Sequence, residues 1–511
     1  MAEPPFTFNR IYSGSLTINR MKYHLLTGGT GLLGRYLLRD LTLAEIPLAV
    51  IVRKSRIESA VGRIETAMTH WERELGHALV RPIVLEGDIT QPMCGLSAED
   101  QRWVSEFCDT AVHSAASLTF YADEEDGEPW RSNIHGTRNM LDLCRSTGIR
   151  KFHHVSTAYV CGQRRETIRE DELDVGQLPS NDYESSKITA EKEVRAADCF
   201  DQLTVHRPSI IVGDSQTGFT TSYHGFYTPL RLVHTLVTTI PWEVIAQGDW
   251  LGTLALSGEE RKNLVPVDWV SAAMTEVISR QELHGQTYHF TNPNPATVAD
   301  MLASIGGAVL DLAKHEEVGD ASVTDDAKQM MDSFRDQMKV YQSYWSDDPS
   351  FDSTRTENAL PHLPCPPVDQ TMMDMLVKYA IDKNFGWPRE APVPQKFPIA
   401  KDLAPWISHA NQLTATDPQR RYVSLRVSGN GGGQWHMIVD QGQLVGVGAG
   451  LMNGDSPTCF LNSDTFHRLT QGQLSWEDAL QSGRLFTAGS AMSPEEIAHC
   501  FHDIAASIKT R

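Results

Sequence analysis

Two groups of residues in this 511-residue chain have types and spacing suited to chemistry. In Tyr183-Glu184-Ser185-Ser186-Lys187 a phenol and an ammonium stand four positions apart, which on a helix puts them on one face. A free phenol ionises near ~10 and is a reluctant participant at neutral pH. An ammonium close by favours the phenolate and eases proton transfer in either direction, so the pair can protonate an oxygen as hydride reaches its carbon. Far upstream, Leu25-Leu26-Thr27-Gly28-Gly29-Thr30-Gly31-Leu32-Leu33-Gly34 enters a glycine turn from a short apolar run and leaves it in a helix-forming run. Gly28, Gly31 and Gly34 let the backbone turn sharply, approach a pyrophosphate and pack helix on strand, with helix amides facing the anion. A glycine turn alone says little. In this order the two groups point to hydride transfer with a nicotinamide cofactor.

Further residues fall where such a site would need them. Thr157, in Val155-Ser156-Thr157-Ala158-Tyr159, ends an expected strand and offers a hydroxyl to orient a substrate oxygen, with Ser156 as its rival. The second expected strand is followed by Val52-Arg53-Lys54-Ser55-Arg56 and not by an acid. An acid there would bind the ribose hydroxyls of NAD, whereas cations favour the 2′-phosphate, so Arg53 argues for NADP(H). Asp88, in Gly87-Asp88-Ile89, is placed to meet the adenine, and Ala115, in His113-Ser114-Ala115-Ala116, lets the ribose and nicotinamide approach. Thr30, Leu32, Leu33 and Ile89 complete the expected cofactor contacts, and Lys187 is expected to hold the nicotinamide ribose as well.

The elements that must position these groups follow from periodicity. Strands are expected at 23–26, 48–52, 82–85, 110–113, 152–156 and 203–206, with helices at 32–43, 57–71, 97–107, 133–144 and 183–197 between them. Ser97 and Asp100 stand at capping-box spacing. This alternation predicts an α/β, Rossmann-type doubly wound parallel sheet, covered on both faces, with ligands at the carboxyl ends of the strands. Beyond residue 214 the alternation loosens: 227–238 reads as an apolar helix, pocket wall or core, and 318–338 as a charged, solvated insertion.

Trp387 to Pro394 is proline-dense and reads as a linker. Beyond it the pattern changes to alternating strands at 422–427, 435–439 and 444–447, with a hairpin turn at the glycines 429–433. Ser493-Pro494-Glu495-Glu496 starts a last helix whose apolar stripe is Ile497, Phe501, Ile504 and Ile508. The chain thus divides into an N-terminal arm (1–20), a cofactor domain with a substrate subdomain (21–386), a linker (387–409) and an α+β unit (410–511).

The whole chain bounds the answer. A length of 511 residues exceeds one ordinary core. A formal net charge of −20 argues against nucleic acid as a partner. Eight scattered cysteines form no metal or disulfide pattern, so no metal is expected and Cys161, near the site, reads as a buried structural thiol. No signal peptide or uninterrupted membrane-length apolar run is evident, and a cytoplasmic protein is expected, at most touching a membrane peripherally.

From about Tyr23 to Phe290 the chain resembles the extended short-chain dehydrogenase/reductase superfamily, and within it the thioester reductase and fatty acyl-CoA reductase branch. The resemblance is carried by residues 27–34, 113–120, 133–137, 154–159 and 183–187, by Arg207-Pro208-Ser209-Ile210-Ile211-Val212-Gly213-Asp214-Ser215-Gln216-Thr217-Gly218, and by Val265-Pro266-Val267-Asp268-Trp269-Val270. It implies Thr157, Tyr183 and Lys187 as catalytic residues and Gly28, Gly31, Gly34, Arg53 and Asp88 as cofactor contacts. It also implies NADPH-dependent reduction of a lipid-like acyl thioester to aldehyde or alcohol. No adenylation or carrier domain is evident upstream, so the thioester is expected as acyl-CoA or on a separate acyl carrier protein. The same residues would serve a dehydrogenase or epimerase acting on a 3β-hydroxysteroid or nucleotide sugar, and an inactive lipid-binding or cofactor-sensing protein is the non-enzymatic alternative. From about Ala410 onward the tail resembles the sterol carrier protein type 2 fold, chiefly through Gly472-Gln473-Leu474, Trp476, Ala479-Leu480, Ser482-Gly483-Arg484-Leu485 and Ala488-Gly489. That resemblance implies a small sheet with helices around an apolar tunnel.

Overall fold

The structure, a computed structural model, describes residues 22–77, 79–122, 124, 126–237, 256–313, 345–387, 397, 399–410, 421–428, 431–440, 443–451, 457–482 and 484–488. The N-terminal arm, the charged segment 318–338, most of the proline-dense stretch and the last helix lie outside these residues.

Apolar runs bounded by turn residues form the first layer: β1 (Tyr23–Thr27), β2 (Leu48–Val52), β3 (Ile83–Glu86), β4 (Cys108–His113), β5 (Lys151–Val155) and β6 (Gln202–Pro208). Between them run α1 (Leu32–Leu43), α2 (Ala60–Leu75), α3 (Ala98–Phe107), α4 (Gly136–Thr147) and α5 (Asp182–Ala196). Every residue of β2 is buried, as expected of a strand covered on both faces. Two boundaries moved for local reasons, and one held. Ser55 Oγ accepts the Glu58 amide at 2.9 Å and Ser59 Oγ caps Gly62 at 3.1 Å, so α2 starts at Ala60 and 53–58 stays a loop. The expected helix at Asn133 begins instead as a π-turn, Arg131–His135, before α4. Ser97 caps α3 through the Asp100 amide at 3.1 Å, as the spacing predicts.

Past β6 come the short β7 (Ile210–Val212), the helix α6 (Tyr227–Val237), β8 (Arg261–Lys262), β9 (Leu264–Pro266), α7 (Val267–Ser279), β10 (Thr287–Phe290), β11 (Ala296–Thr297), α8 (Val298–Ala313), α9 (Thr354–Ala359) and α10 (Gln370–Asp382). The parallel sheet runs β10-β6-β5-β4-β1-β2-β3, so β10 is a seventh strand. Its four residues are too few to show a period, which hides it in the sequence. α1, α2 and α7 pack on one face, α3 and α4 on the other. α6 belongs to a separate core: Tyr227 and Leu230 are buried against Met301, Trp345 and Leu376, and the loop before the helix faces the cavity instead.

The C-terminal unit comprises α11 (Ile399–Ala410), β12 (Arg421–Ser428), β13 (Gly433–Asp440), β14 (Gln443–Ala449), β15 (Thr458–Asn462), α12 (Ser463–Gln471), α13 (Trp476–Gln481) and β16 (Phe486–Ala488). Its sheet, β14-β13-β12-β15-β16, is mixed, because β12 pairs parallel with β15 and the other pairs are antiparallel. α11 falls inside the stretch read as linker, yet Ile399, Leu403 and Trp406 are buried in the C-terminal core, so packing puts the start of this unit near Ile399. The unit meets the edge of the first domain. Asn462 Nδ2 donates to Pro82 O at 3.5 Å, Phe486 meets Phe107 edge-on, and the Arg81 guanidinium lies over Phe397.

Candidate active site

The carboxyl ends of β1, β4 and β5 open into a cavity of about 1020 Å³ that runs from the glycine turn past Tyr183 to Asp348. At the turn, Gly28 has φ +79°, and a Cβ there would come within 2.7 Å of the Ala115 nitrogen. A Cβ on Gly34 would meet the Gly28 carbonyl oxygen at 2.0 Å. α1 has Gly31 at its N-cap, so it carries no side-chain cap, and its first turn holds no acid, leaving its amides to an external anion. This cradle fits the pyrophosphate of a dinucleotide.

Tyr183 and Lys187 lie in the first two turns of α5, which Asn181 caps through the Glu184 amide at 2.9 Å. Both line the cavity, with Thr157 between them and β6. Thr157 Oγ1 donates toward Pro208 O at 3.4 Å and stands close to the Tyr183 phenol. Burial pushes the phenol up to about 12, and the neighbouring Thr157 hydroxyl works against that rise. Lys187 Nζ donates to Val155 O at 2.7 Å, and burial pulls its ammonium down to about 8 while the Glu191 carboxylate opposes the fall. The rival hydroxyl, Ser156, also lines the cavity, and its buried Oγ makes no hydrogen bond among the described residues. Cys161 is a buried free thiol pushed up to about 12 by desolvation, so it carries no thiolate at neutral pH. Among the described residues no cluster suits a metal.

The cofactor contacts divide. Gly28, Thr30, Gly31, Leu32, Leu33 and Gly34 line the cavity; Arg53, Asp88, Ile89 and Ala115 are not in its wall. Arg53 is exposed and pairs with Asp88 at 3.5 Å, and Asp88 also accepts the Thr90 amide and hydroxyl. Ile89 packs beneath Gly136, and the Ala115 amide donates to Thr27 Oγ1 at 3.2 Å. Two cations reach the cavity from this side: Arg35 of α1, with Nε donating to Thr30 O at 3.4 Å, and Arg63, on the first turn of α2, with Nη2 donating to Thr30 Oγ1 at 2.8 Å and Nη1 to Arg53 O at 2.6 Å. The sequence signal of Arg63 is a cation at a helix N-terminus, where the dipole disfavours positive charge.

Two other residues escaped a role in the sequence. Asn133 Nδ2 donates to Ser186 Oγ at 2.9 Å and to Ser117 O at 3.1 Å, tying α5 to the loop after β4. Asp214 accepts the Tyr36 hydroxyl at 2.9 Å and the amides of Gln216 and Thr217, while Ser215 is held by Asp268 at 2.6 Å. These contacts anchor the turn that sends residues 219–225 to the cavity wall. Residues 213–218 of the Arg207–Gly218 run therefore act as scaffolding, while Pro208 to Ile211 line the cavity.

Residues 26–274 match the family model described as Male sterility protein. Over 295 residues the chain is 28% identical to the Isonitrile lipopeptide synthase of Mycobacterium tuberculosis, covering 53% of this chain and 11% of that protein. It is 25% identical over 203 residues to Fatty acyl-CoA reductase wat of Drosophila melanogaster, covering 38% of this chain and 36% of that protein. The chain thus spans well under two thirds of either relative. Among solved structures, the terminal R domain from the myxalamid PKS-NRPS biosynthetic pathway is 27% identical with a TM-score of 0.56, covering 73% of this chain and 93% of that one. A thiolation-reductase di-domain from an archaeal non-ribosomal peptide synthetase shares the fold at 20% identity and a TM-score of 0.52, covering 71% and 76%.

Proposed function

We propose that the chain, whose residues 26–274 match the Male sterility protein family model, is an NADPH-dependent reductase of a lipid-like acyl thioester, carried on CoA or on an acyl carrier protein. The observation that carries this reading is the meeting of Thr157, Tyr183 and Lys187 in the same cavity as the uncapped start of α1. NADPH, when bound, supplies hydride to the thioester carbonyl carbon. Tyr183, beside Thr157, donates its proton to the oxygen as negative charge develops there. Lys187 keeps a positive charge beside the phenol and so supports its ionisation as the proton leaves. The resulting hemithioacetal expels the thiol and leaves an aldehyde. Thr30 and the amides of α1 would hold the pyrophosphate, and Arg63 the 2′-phosphate.

The relatives support this choice, since one is a fatty acyl-CoA reductase and another the terminal R domain of a PKS-NRPS pathway. The test is to mix the protein with NADPH and a panel of acyl-CoAs, carrier-bound acyl thioesters, steroids and nucleotide sugars, following NADPH absorbance and thiol release together. Consumption of NADPH with equal thiol release on the thioesters is expected. Turnover confined to steroids or sugars, without thiol, would overturn the reading.

For the C-terminal unit we propose a lipid-carrying role. Its support is the mixed sheet with α11, α12 and α13 packed around an apolar core that includes Leu425, Met437 and Phe466.

A further inference from the structure

One carboxylate outside the reacting set is tied to it from inside the protein. Glu191 follows Lys187 by one turn of α5, on the same face, and is wholly buried. Its Oε1 accepts Arg207 Nη2 and its Oε2 accepts Arg207 Nε, at 2.7 and 3.0 Å. Arg195, on the next turn, adds Nη2 and Nε to Oε1 at 2.7 and 2.9 Å. Arg207 belongs to β6 and is itself wholly buried. The next residue, Pro208, offers the carbonyl toward which the Thr157 hydroxyl donates. The clamp thus joins α5 to β6 at the point where the three reacting side chains converge.

We infer that Glu191 is a positioning residue for Lys187, fixed by Arg207 and Arg195 so that a single buried carboxylate holds the lysine ammonium charged beside the phenol. This rests on the proposed reductase reading for its kinetic consequence, though not for its electrostatics. The groups facing Lys187 from other elements are His113 of β4 and His154 of β5. Desolvation pulls His113 down to about 3 and His154 well below the ordinary histidine range, so both are neutral at working pH. Tyr183, a phenol there, adds no charge. The Val155 carbonyl holds the ammonium's direction but supplies only a dipole. That leaves Glu191 as the charge opposing the cost of burying Lys187. A purely structural pair would join helix to strand equally well and leave the lysine unaffected.

The two roles separate by measuring the Lys187 titration in the cofactor-free full chain, by competitive labelling read by peptide mass spectrometry, alongside the pH profile of thioester reduction. In Glu191→Gln the labelling midpoint should fall by about one pH unit, with the alkaline limb of the activity profile moving down with it. Glu191→Asp, which keeps the charge, should recover most of both. Glu191→Gln combined with Arg207→Gln is the fallback if the single variant does not fold, and because it removes one charge of each sign a smaller fall in the midpoint is expected. An unmoved midpoint in a folded variant overturns the proposal, whatever the activity does. If no thioester is reduced at all, the labelling still decides the role of Glu191, so the two readings fail separately.

Discussion

Arg63 Nη2 donates to Thr30 Oγ1 across 2.8 Å, joining the first turn of α2 to the glycine turn that opens α1. The link places a guanidinium at the rim of the anion cradle. Arg53, the cation expected in that role, turns to Asp88. Arg63→Ala should therefore raise KM for NADPH by about tenfold or more, as for loss of one charge-assisted phosphate contact, and leave KM for NADH nearly unchanged. Arg53→Ala should do less to either. Steady-state kinetics with both cofactors checks this, and equal effects of the two variants would return the 2′-phosphate role to Arg53.

Tyr183→Phe keeps the ring and its edge-on packing against Phe120 while removing the hydroxyl. Loss of one such donor commonly costs ~10²–10³ in turnover. We expect a fall of that order with NADPH binding retained, as read by quenching of cofactor fluorescence. Turnover near wild type would remove Tyr183 from the proton path.

The pH profile should follow Lys187 and not Tyr183. Burial lowers the lysine from 10.5 to about 8, so it loses its proton as pH rises through 8, whereas the phenol, raised to about 12, stays protonated over that range. Activity should be flat on the neutral side and decline by about tenfold per pH unit above the lysine midpoint. A rate that climbs through pH 9 would contradict the assignment.

Stability should depend on pH through buried imidazoles. Desolvation lowers His24 and His289 to about 4 and His113 and His206 to about 3, all below the ordinary 6.5. As pH falls through 6.5 the unfolded chain binds protons that the folded chain does not, so this contribution is full above 6.5 and is lost toward the folded values. Urea midpoints should fall steadily from pH 7.5 to pH 5. A constant midpoint would mean these histidines take up protons in the folded protein as readily as in the unfolded chain.

Solvent extraction of the full chain should release bound lipid, and a fluorescent fatty acyl probe should find one more site than in a chain ending after Gly386. Equal stoichiometry would leave the C-terminal unit a structural appendage docked by Phe397, Asn462 and Phe486.

The sequence by itself determined what local chemistry decides. Continuous apolar runs specify buried strands, so β2 is found at the residues its composition marks; Gly28 and Gly34 specify a turn no side chain could make; and helical spacing puts Tyr183 and Lys187 on one face. Only the tertiary structure decided that Arg63, and not Arg53, reaches the cradle. That depends on how the caps at Ser55 and Ser59 set the start of α2 and on the competing partner Asp88, neither of which leaves a period in the sequence. The same holds for β10, recognised by its pairing with β6, and for α11, which a proline at position 405 disguised as linker until its apolar face met the C-terminal sheet. Glu191 and Arg207 lie sixteen residues apart, on a helix and a strand. Their pairing exists only because α5 packs on β6, and burial in that contact is what turns two common charges into a clamp.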